Sequence, residues 1–330
     1  MNPHGASSAQ PDHGGFTKIS LDQIEKASRT IDTVFLNSPH FESETMGAEL
    51  EMRLALKVET VNPIRSFKGR GADFFVAGLP ADSARLICAS AGNFGQGMAY
   101  AARKRSFGLT VFVSETANPL KVERMRQLGA EVRVAGCDFD DAKEHARAFA
   151  QQTGGQFVED GRDAPIAEGA GSIAVELMRW PDRFDFLLVP LGDGALLAGI
   201  GHWMQEHSPK TELIGVCPAR TPAMDLSLRS GEVRTTETAD TIADGIAVRV
   251  PVPESLLHLR GIAHDILRVE DEAMIRAMQF VFHHHGLVVE PSGVAGLAAA
   301  MTFPERFRGA MVGIPLTGGN LTAEQMKQWL

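Results

Sequence analysis

Short apolar runs alternate with segments of helical periodicity along most of this sequence. Between Arg85 and Val158, four predicted strands alternate with three predicted helices. Later predicted strands at 184–189, 212–216 and 309–316 are again separated by helical segments. Strands that alternate with helices form parallel sheets with helices packed on both faces. The pattern therefore predicts an α/β fold with two open, twisted, mostly parallel sheets.

The same pattern suggests how the chain is divided. Residues 1–15 are rich in Pro, Gly, Ser, Gln and His, and we expect them to form a disordered tail. Residues 16–82 and 160–330 are predicted to form one large domain. Residues 83–159 are predicted to form a small mobile domain.

Bulk properties exclude several classes of protein. The net charge of −9 argues against a nucleic-acid partner and against an anionic membrane surface. The longest apolar run, 186–201, is interrupted by Asp193, so no membrane span is expected. Cys88, Cys137 and Cys217 are far apart and odd in number, which predicts buried thiols in a reducing cytoplasm.

One lysine lies at the predicted start of a helix, shortly after a strand. Residues 66–72 read Ser-Phe-Lys-Gly-Arg-Gly-Ala, which places Lys68 in the first helical turn. The N-terminus of a helix disfavours an ammonium group, and so favours the neutral amine that attacks a carbonyl to form a Schiff base. Considered alone, such a lysine is more typical of a solvated surface.

Three glycine-bearing loops also follow predicted strands, at 90–97, 192–199 and 317–320. Ligands of parallel sheets bind beyond the carboxyl ends of the strands, where Lys68 is also expected. The second loop presents backbone amides at a helix start, which suits either a phosphate or an ordinary tight turn.

The other two loops carry polar side chains. Ser90 and Asn93 suit a carboxylate ligand, although both are also typical helix caps. Thr317 presents a hydroxyl group at a strand end.

Other common sites are absent from the sequence. Leu197 stands three residues after Gly194, so the loop does not match the dinucleotide fingerprint, and no Walker motif follows it. His283, His284 and His285 point in three directions around a helix, which is not a metal-ligand spacing. We predict no metal site.

Taken together, the motifs resemble those of fold-type II pyridoxal-phosphate enzymes, whose fold is tryptophan synthase β-like. The closest resemblance is to the threonine/serine dehydratase and serine racemase group, and it extends from about residue 19 to residue 320. It implies pyridoxal 5'-phosphate as the cofactor, bound by the large domain. The motifs that carry it, in order, are Ser66–Ala72, Ser90–Asn93, Gly192–Leu196, Thr241–Gly245, Glu290–Gly293 and Thr317–Asn320.

The resemblance also implies the roles of individual residues. Lys68 would be the catalytic lysine that forms the Schiff base. Asn93 would bond the ring oxygen of the cofactor, and Thr317 its pyridine nitrogen, which suits eliminations because a hydroxyl partner gives a mild electron sink. The full predicted cofactor set is Lys68, Phe67, Asn93, Gly192, Asp193, Gly194, Ala195, Leu196, Glu290 and Thr317. The substrate carboxylate would be held by Ser90, Ala91, Gly92 and Asn93.

Departures from the family pattern narrow the function. Ala91 replaces the serine that racemases of this group use on the second face of the substrate, so racemisation is not expected. Residues 217–223 lack the acidic pair that binds a divalent cation in some relatives. Asp193 is unusual in a phosphate loop, because its charge repels phosphate unless the side chain points away.

The predicted function is a dehydratase, or ammonia-lyase, that converts a β-hydroxy amino acid such as threonine or serine to a 2-oxo acid and ammonia. In the implied reaction Lys68 removes the α-proton and the cofactor phosphate protonates the leaving hydroxyl. The alternatives are a β-replacement enzyme of the cysteine synthase type, an amino-acid racemase and a binding protein without turnover. His40 and Phe94 replace common family residues and predict an unusual substrate pocket.

We expect the protein to be a cytoplasmic homodimer whose partner is a small amino acid, with no nucleic acid or membrane partner. No regulatory domain is recognised after Leu330, from which we expect no feedback control of the biosynthetic type.

Overall fold

The computed structural model describes residues 16–330, so the predicted tail at 1–15 lies outside the described residues. Two separate sheets are formed from short strands. The strands are β1 (His40–Glu42), β2 (Arg53–Val58), β3 (Leu86–Ala89), β4 (Leu109–Val113), β5 (Glu131–Val134), β6 (Gln156–Phe157), β7 (Phe186–Pro190), β8 (Glu212–Pro218), β9 (Asp265–Val269) and β10 (Met311–Leu316).

Helices separate most of these strands along the chain. The helices are α1 (Leu21–Thr30), α2 (Glu44–Leu50), α3 (Lys68–Ala77), α4 (Asn93–Lys104), α5 (Pro119–Gln127), α6 (Phe139–Thr153), α7 (Ala164–Leu177), α8 (Ala195–His207), α9 (Ala223–Ser230), α10 (Pro253–Leu259), α11 (Asp271–His285), α12 (Ala295–Thr302), α13 (Pro304–Phe307) and α14 (Ala323–Trp329). Short 3₁₀ turns form at Asp244–Ile246 and Pro291–Val294.

Both sheets are mostly parallel, which confirms the predicted fold class. The larger sheet has the strand order β1-β2-β10-β7-β8-β9, in which β1 pairs antiparallel with β2 and the other described pairs are parallel. The smaller sheet has the order β5-β4-β3-β6, and its described pairs are all parallel. Parallel strands are buried on both faces, and β3, β4 and β10 have no exposed residue.

Helix α3, which carries Lys68, is held by close helix packing. A side chain at Gly71 would place its Cβ 2.4 Å from the carbonyl oxygen of Ile166 in α7. A Cβ at Gly97 in α4 would lie 3.0 Å from the carbonyl oxygen of Lys68 itself. Glycine at these positions therefore lets two helices press directly against the start of α3.

Several element boundaries differ from the sequence-based prediction. Helix α4 begins at Asn93 rather than at the predicted Met98, and α7 begins at Ala164 rather than at Gly171. The segments β1, α2, α10, β9, α13 and α14 were not predicted. The starts of α4 and α7 are rich in glycine and alanine, so they lack the apolar periodicity that indicates a helix in a sequence.

The cysteine prediction was correct for two residues and wrong for the third. Cys88 and Cys217 are buried, whereas Cys137 is exposed, since it lies in the turn before α6 rather than within a strand. Within residues 16–330, no helix is both long and apolar enough to cross a membrane. No cluster of His, Cys, Asp or Glu that could hold a metal ion occurs in that range.

Candidate active site

A cavity of about 600 Å³ lies at the carboxyl ends of strands from both sheets. Its volume falls within the range of small-molecule sites. Every residue of the predicted site lines it: Phe67, Lys68, Ser90, Ala91, Gly92, Asn93, Gly192, Asp193, Gly194, Ala195, Leu196, Glu290 and Thr317. A separate cavity of about 230 Å³ near α9 and α10 contains none of them.

Strand pairing explains why Lys68 and Thr317 meet. β2 and β10 are neighbours in the large sheet, and Val58 at the end of β2 pairs with Leu316 at the end of β10. Beyond these ends, the N–H of Phe67 donates to the carbonyl oxygen of Thr317 at 3.0 Å. Two segments that are 250 residues apart in sequence are thereby fixed side by side.

Lys68 contacts a carboxylate that the sequence analysis did not identify. Its ammonium group hydrogen-bonds the Oδ2 atom of Asp160 and lies 4.8 Å from the centre of the Phe67 ring. The lysine side chain is 15% exposed. Asp160 follows strand β6. Since ligands of parallel sheets bind beyond the carboxyl ends of strands, the sequence offered a signal for this residue as well.

Asn93 is oriented by a buried hydrogen-bond network. Its Nδ2 atom donates to Glu290 Oε1 at 2.5 Å, and its Oδ1 atom accepts from Asn320 Nδ2 at 2.8 Å. The backbone N–H of Asn320 donates to Glu290 Oε2 at 3.1 Å. Burial raises the pKa of Glu290, which is 2% exposed. The network fixes which atoms of Asn93 remain available to a ligand.

The loop before α8 places the N-terminus of a helix at the cavity. Gly194 has a φ of +94°, which glycine adopts readily, and it is the N-cap of α8. The first N–H groups of a helix lack partners within the helix and carry the positive end of its dipole. Ala195 and Leu196, at this end of a 13-residue helix, line the cavity. Such an end is suited to a phosphate group.

Asp193 lies in this loop close to the charges of Asp160 and Lys68. Burial, followed by the neighbouring carboxylate of Asp160, raises the pKa of Asp193 to about 7. The sequence predicted that Asp193 repels a phosphate unless its side chain points away. With a pKa near 7, Asp193 is partly protonated at neutral pH, which reduces that repulsion.

The Ser90 hydroxyl accepts bonds from N–H groups at the start of α4, where Gly92 is the N-cap residue and Asn93 the first helical residue. Its Oγ atom accepts from the N–H of Gly92 at 3.2 Å and from the N–H of Gly95 at 3.0 Å. These bonds satisfy N–H groups at the helix start and allow α4 to begin at Asn93. The role of residues 90–93 in holding a carboxylate stays a prediction.

Ion pairs link the two sides of the cavity wall. The ammonium group of Lys121 in α5 contacts the carboxylate of Asp244, and Arg249 lies 2.6 Å from Asp140. Burial opposes the charge of Lys121, but the carboxylates of Asp244 and Glu290 outweigh it and raise its pKa. These contacts tie residues of the predicted small domain to the large one.

The prediction about His40 is wrong, because its side chain lies outside the cavity. Its ring centre is 4.5 Å from that of Trp180 and 6.2 Å from that of Phe184. Phe94, in contrast, lines the cavity as expected. Of these two departures from the family pattern, Phe94 alone can act directly on a ligand there.

The groups around the cavity fit pyridoxal 5'-phosphate. Lys68 offers an amine, the start of α8 offers an anion site, and Asn93 and Thr317 offer polar partners. A Cβ at Gly192 would lie 3.1 Å from the Cα atom of Ile246, so a side chain there would be crowded against that segment. This arrangement on two parallel sheets defines the class of fold-type II pyridoxal-phosphate enzymes.

Comparisons with known proteins agree with this class. The model of the pyridoxal-phosphate dependent enzyme family matches residues 31–318. The chain is 31% identical to the L-threonine ammonia-lyase of Thermotoga maritima, over 92% of this chain and 76% of that protein. It is 32% identical to the L-threo-3-hydroxyaspartate ammonia-lyase of Pseudomonas sp., over 93% of this chain and 97% of that protein.

A solved structure shows the same relationship. The crystal structure of the threonine deaminase from T.th. is 31% identical in sequence, with a TM-score of 0.86 over 92% of this chain and 99% of that one. The chain therefore belongs to the pyridoxal-phosphate dependent enzyme family, which confirms the predicted resemblance and cofactor.

Proposed function

We propose that this protein is a pyridoxal-phosphate-dependent dehydratase that releases ammonia and a 2-oxo acid from a β-hydroxy amino acid such as threonine or serine. The main support is the placement of Lys68 in one cavity with the anion site at the start of α8 and with Thr317. The ammonia-lyase names of relatives above 30% identity favour the same reaction class. They do not favour β-replacement or racemisation.

Each side of the cavity has a part in this reaction. When bound, pyridoxal phosphate supplies an electron sink that stabilises negative charge at the α-carbon of an attached amino acid. The first N–H groups of α8 would hold the phosphate. Asn93, oriented by Glu290, and Thr317 would hold the ring. The start of α4 would hold the substrate carboxylate.

Lys68 performs the proton transfer at the α-carbon. Its Nζ atom reaches into the cavity from the first turn of α3, which Gly71 and Gly97 hold in place. Ala91 carries no proton-transfer group, so the opposite face of the α-carbon lacks the serine of racemases. Proton transfer on one face favours elimination over inversion.

The proposed function is tested by product analysis with a panel of amino acids. Purified protein with added pyridoxal phosphate should release equal amounts of 2-oxo acid and ammonia from L-threonine, L-serine or L-threo-3-hydroxyaspartate. Lys68→Ala should abolish this release, whereas Lys104→Ala on the exposed end of α4 should retain it.

The same panel separates the alternatives. Cysteine formed from O-acetylserine and sulfide, without 2-oxo acid from any hydroxy amino acid, would favour β-replacement instead. Accumulation of the D-amino acid would favour a racemase. Bound cofactor without any product would indicate a binding protein.

Two further proposals concern the protein as a whole. A homodimer should give about twice the 35.6 kDa chain mass by light scattering. A cytoplasmic location agrees with the free thiols of Cys88, Cys137 and Cys217 and should be visible by cell fractionation.

A further inference from the structure

Two aspartates next to Lys68 have no part in the reaction described so far. Asp160 Oδ2 hydrogen-bonds the Lys68 ammonium group. Its other oxygen, Oδ1, is buried and has no hydrogen-bond partner among the described residues. An unpaired buried carboxylate oxygen is costly unless a ligand or a proton satisfies it. Both Asp160 and Asp193 line the cavity.

Tight packing keeps the two aspartates together. Gly161, directly after Asp160, has a φ of +83°, and a Cβ there would lie 2.6 Å from the carbonyl oxygen of Asp193. The Ser255 hydroxyl lies 3.0 Å from the carbonyl oxygen of Gly161 and 2.5 Å from that of Asp193. The two turns are thus joined through one serine, which fixes the carboxyl groups relative to Lys68.

Two neighbouring carboxyl groups tend to share a proton, because the second ionisation places like charges close together. Asp193 is surrounded by the charges of Asp160, Lys68, Lys143 and Glu159. Burial and then Asp160 raise the pKa of Asp193 to about 7. Near neutral pH Asp193 can therefore take up and release a proton beside Asp160 and Lys68.

We infer that Asp160 is a catalytic residue that carries a proton from Lys68 to the leaving β-hydroxyl group. This inference rests on the proposed dehydratase function. It replaces the predicted donor, the cofactor phosphate, with a carboxyl group already in contact with Lys68.

The route balances without an external acid. The Lys68 amine takes the α-proton, and the electron pair of the Cα–H bond becomes the Cα–Cβ double bond. The resulting ammonium passes a proton to Asp160 Oδ2. The Asp160 carboxyl group then protonates the β-oxygen as the Cβ–O bond breaks with its electron pair. Water leaves, and Lys68 and Asp160 return to their starting forms.

The choice of leaving group tests this route. Hydroxide needs a proton to leave, whereas chloride does not. In the cofactor-loaded enzyme, Asp160→Asn should lower kcat/KM for L-serine by about 100-fold or more, the usual contribution of a general acid. The same variant should react with β-chloro-L-alanine at nearly the wild-type initial rate. Unchanged visible absorbance of the bound cofactor would show that loading is intact.

Equal losses on serine and β-chloroalanine, or no loss on serine, would overturn the route. Wild-type turnover of β-chloroalanine without turnover of any hydroxy amino acid would instead overturn the proposed function, and the route with it.

If Asp160→Asn does not fold, Asp160→Glu and Asp160→Ala provide a second test. Asp160→Glu keeps a carboxyl group and should turn over L-serine faster than Asp160→Ala does. Both variants should react with β-chloro-L-alanine at similar initial rates. Equal turnover of L-serine by the two variants would contradict the route.

Discussion

At the scale of single residues, the structure places two aspartates, Asp160 and Asp193, beside Lys68, the lysine that the sequence predicts to be catalytic. The sequence predicted Lys68 from its position at a helix start and from the family resemblance. It did not indicate Asp160, because an aspartate after a two-residue strand resembles any loop acid. Asp193 was noticed as unusual, but its partner could not be inferred before the two turns were seen together.

His40 gives a prediction about acid stability. Burial and then the charge of Lys57 lower its pKa from 6.5 to about 4. The unfolded chain therefore binds more protons than the folded one between these values, and the free energy of unfolding falls as the pH drops from about 6.5 to about 4.

His40→Phe should flatten this pH dependence and retain the aromatic contact with Trp180. Urea unfolding at pH 7.5 and pH 4.5 measures the change in the free energy of unfolding between these pH values. His145→Phe, at an exposed histidine, is the control. An unchanged slope in His40→Phe would refute the assignment.

At the scale of elements, the order of strands and helices was predictable, but several helix starts were not. Residues 93–97 read Asn-Phe-Gly-Gln-Gly, which has the composition of a loop. They become helical because the Ser90 hydroxyl accepts two N–H bonds at that end. Ser90 lies directly after strand β3, and the hydrophobic periodicity of the sequence does not indicate its bonds to the helix.

Ser90→Ala should therefore weaken α4. The Ser90 hydroxyl accepts a first-turn N–H bond as an N-cap side chain would, and loss of such a side chain costs about 1 kcal/mol, within a range of roughly 0.5–2 kcal/mol. Chemical unfolding of the variant should show a loss of this size. Ser28→Ala, at an exposed hydroxyl on α1, is the matched control. Equal stability of Ser90→Ala and wild type would show that the cap contributes nothing.

At the scale of the whole molecule, the two-sheet fold could be predicted from the sequence. The contacts between residues 83–159 and the rest of the molecule could not. The alternation of strands and helices is a local pattern repeated along the chain. The pairs Lys121–Asp244 and Arg249–Asp140 join segments more than 100 residues apart, and no local pattern predicts them.

These pairs give a prediction for the motion of residues 83–159. Lys121→Ala should loosen the contact of this region with the rest of the molecule and raise hydrogen exchange in α5 and β5, while β7 and β10 remain protected. Arg85→Ala, which removes an exposed pair within the small sheet, should not have this effect. Uniform exchange changes across the chain would argue against a separate mobile unit.

We propose that Lys68 is the residue that binds pyridoxal phosphate. Reduction with borohydride makes the bond between a lysine and this cofactor permanent, and mass spectrometry of peptides then locates it. The cofactor mass should be found on the peptide that contains Lys68. It should disappear in Lys68→Ala but persist in Lys121→Ala, the variant of another cavity lysine. A label on Lys121, or no label in the wild-type protein, would show that Lys68 does not bind the cofactor.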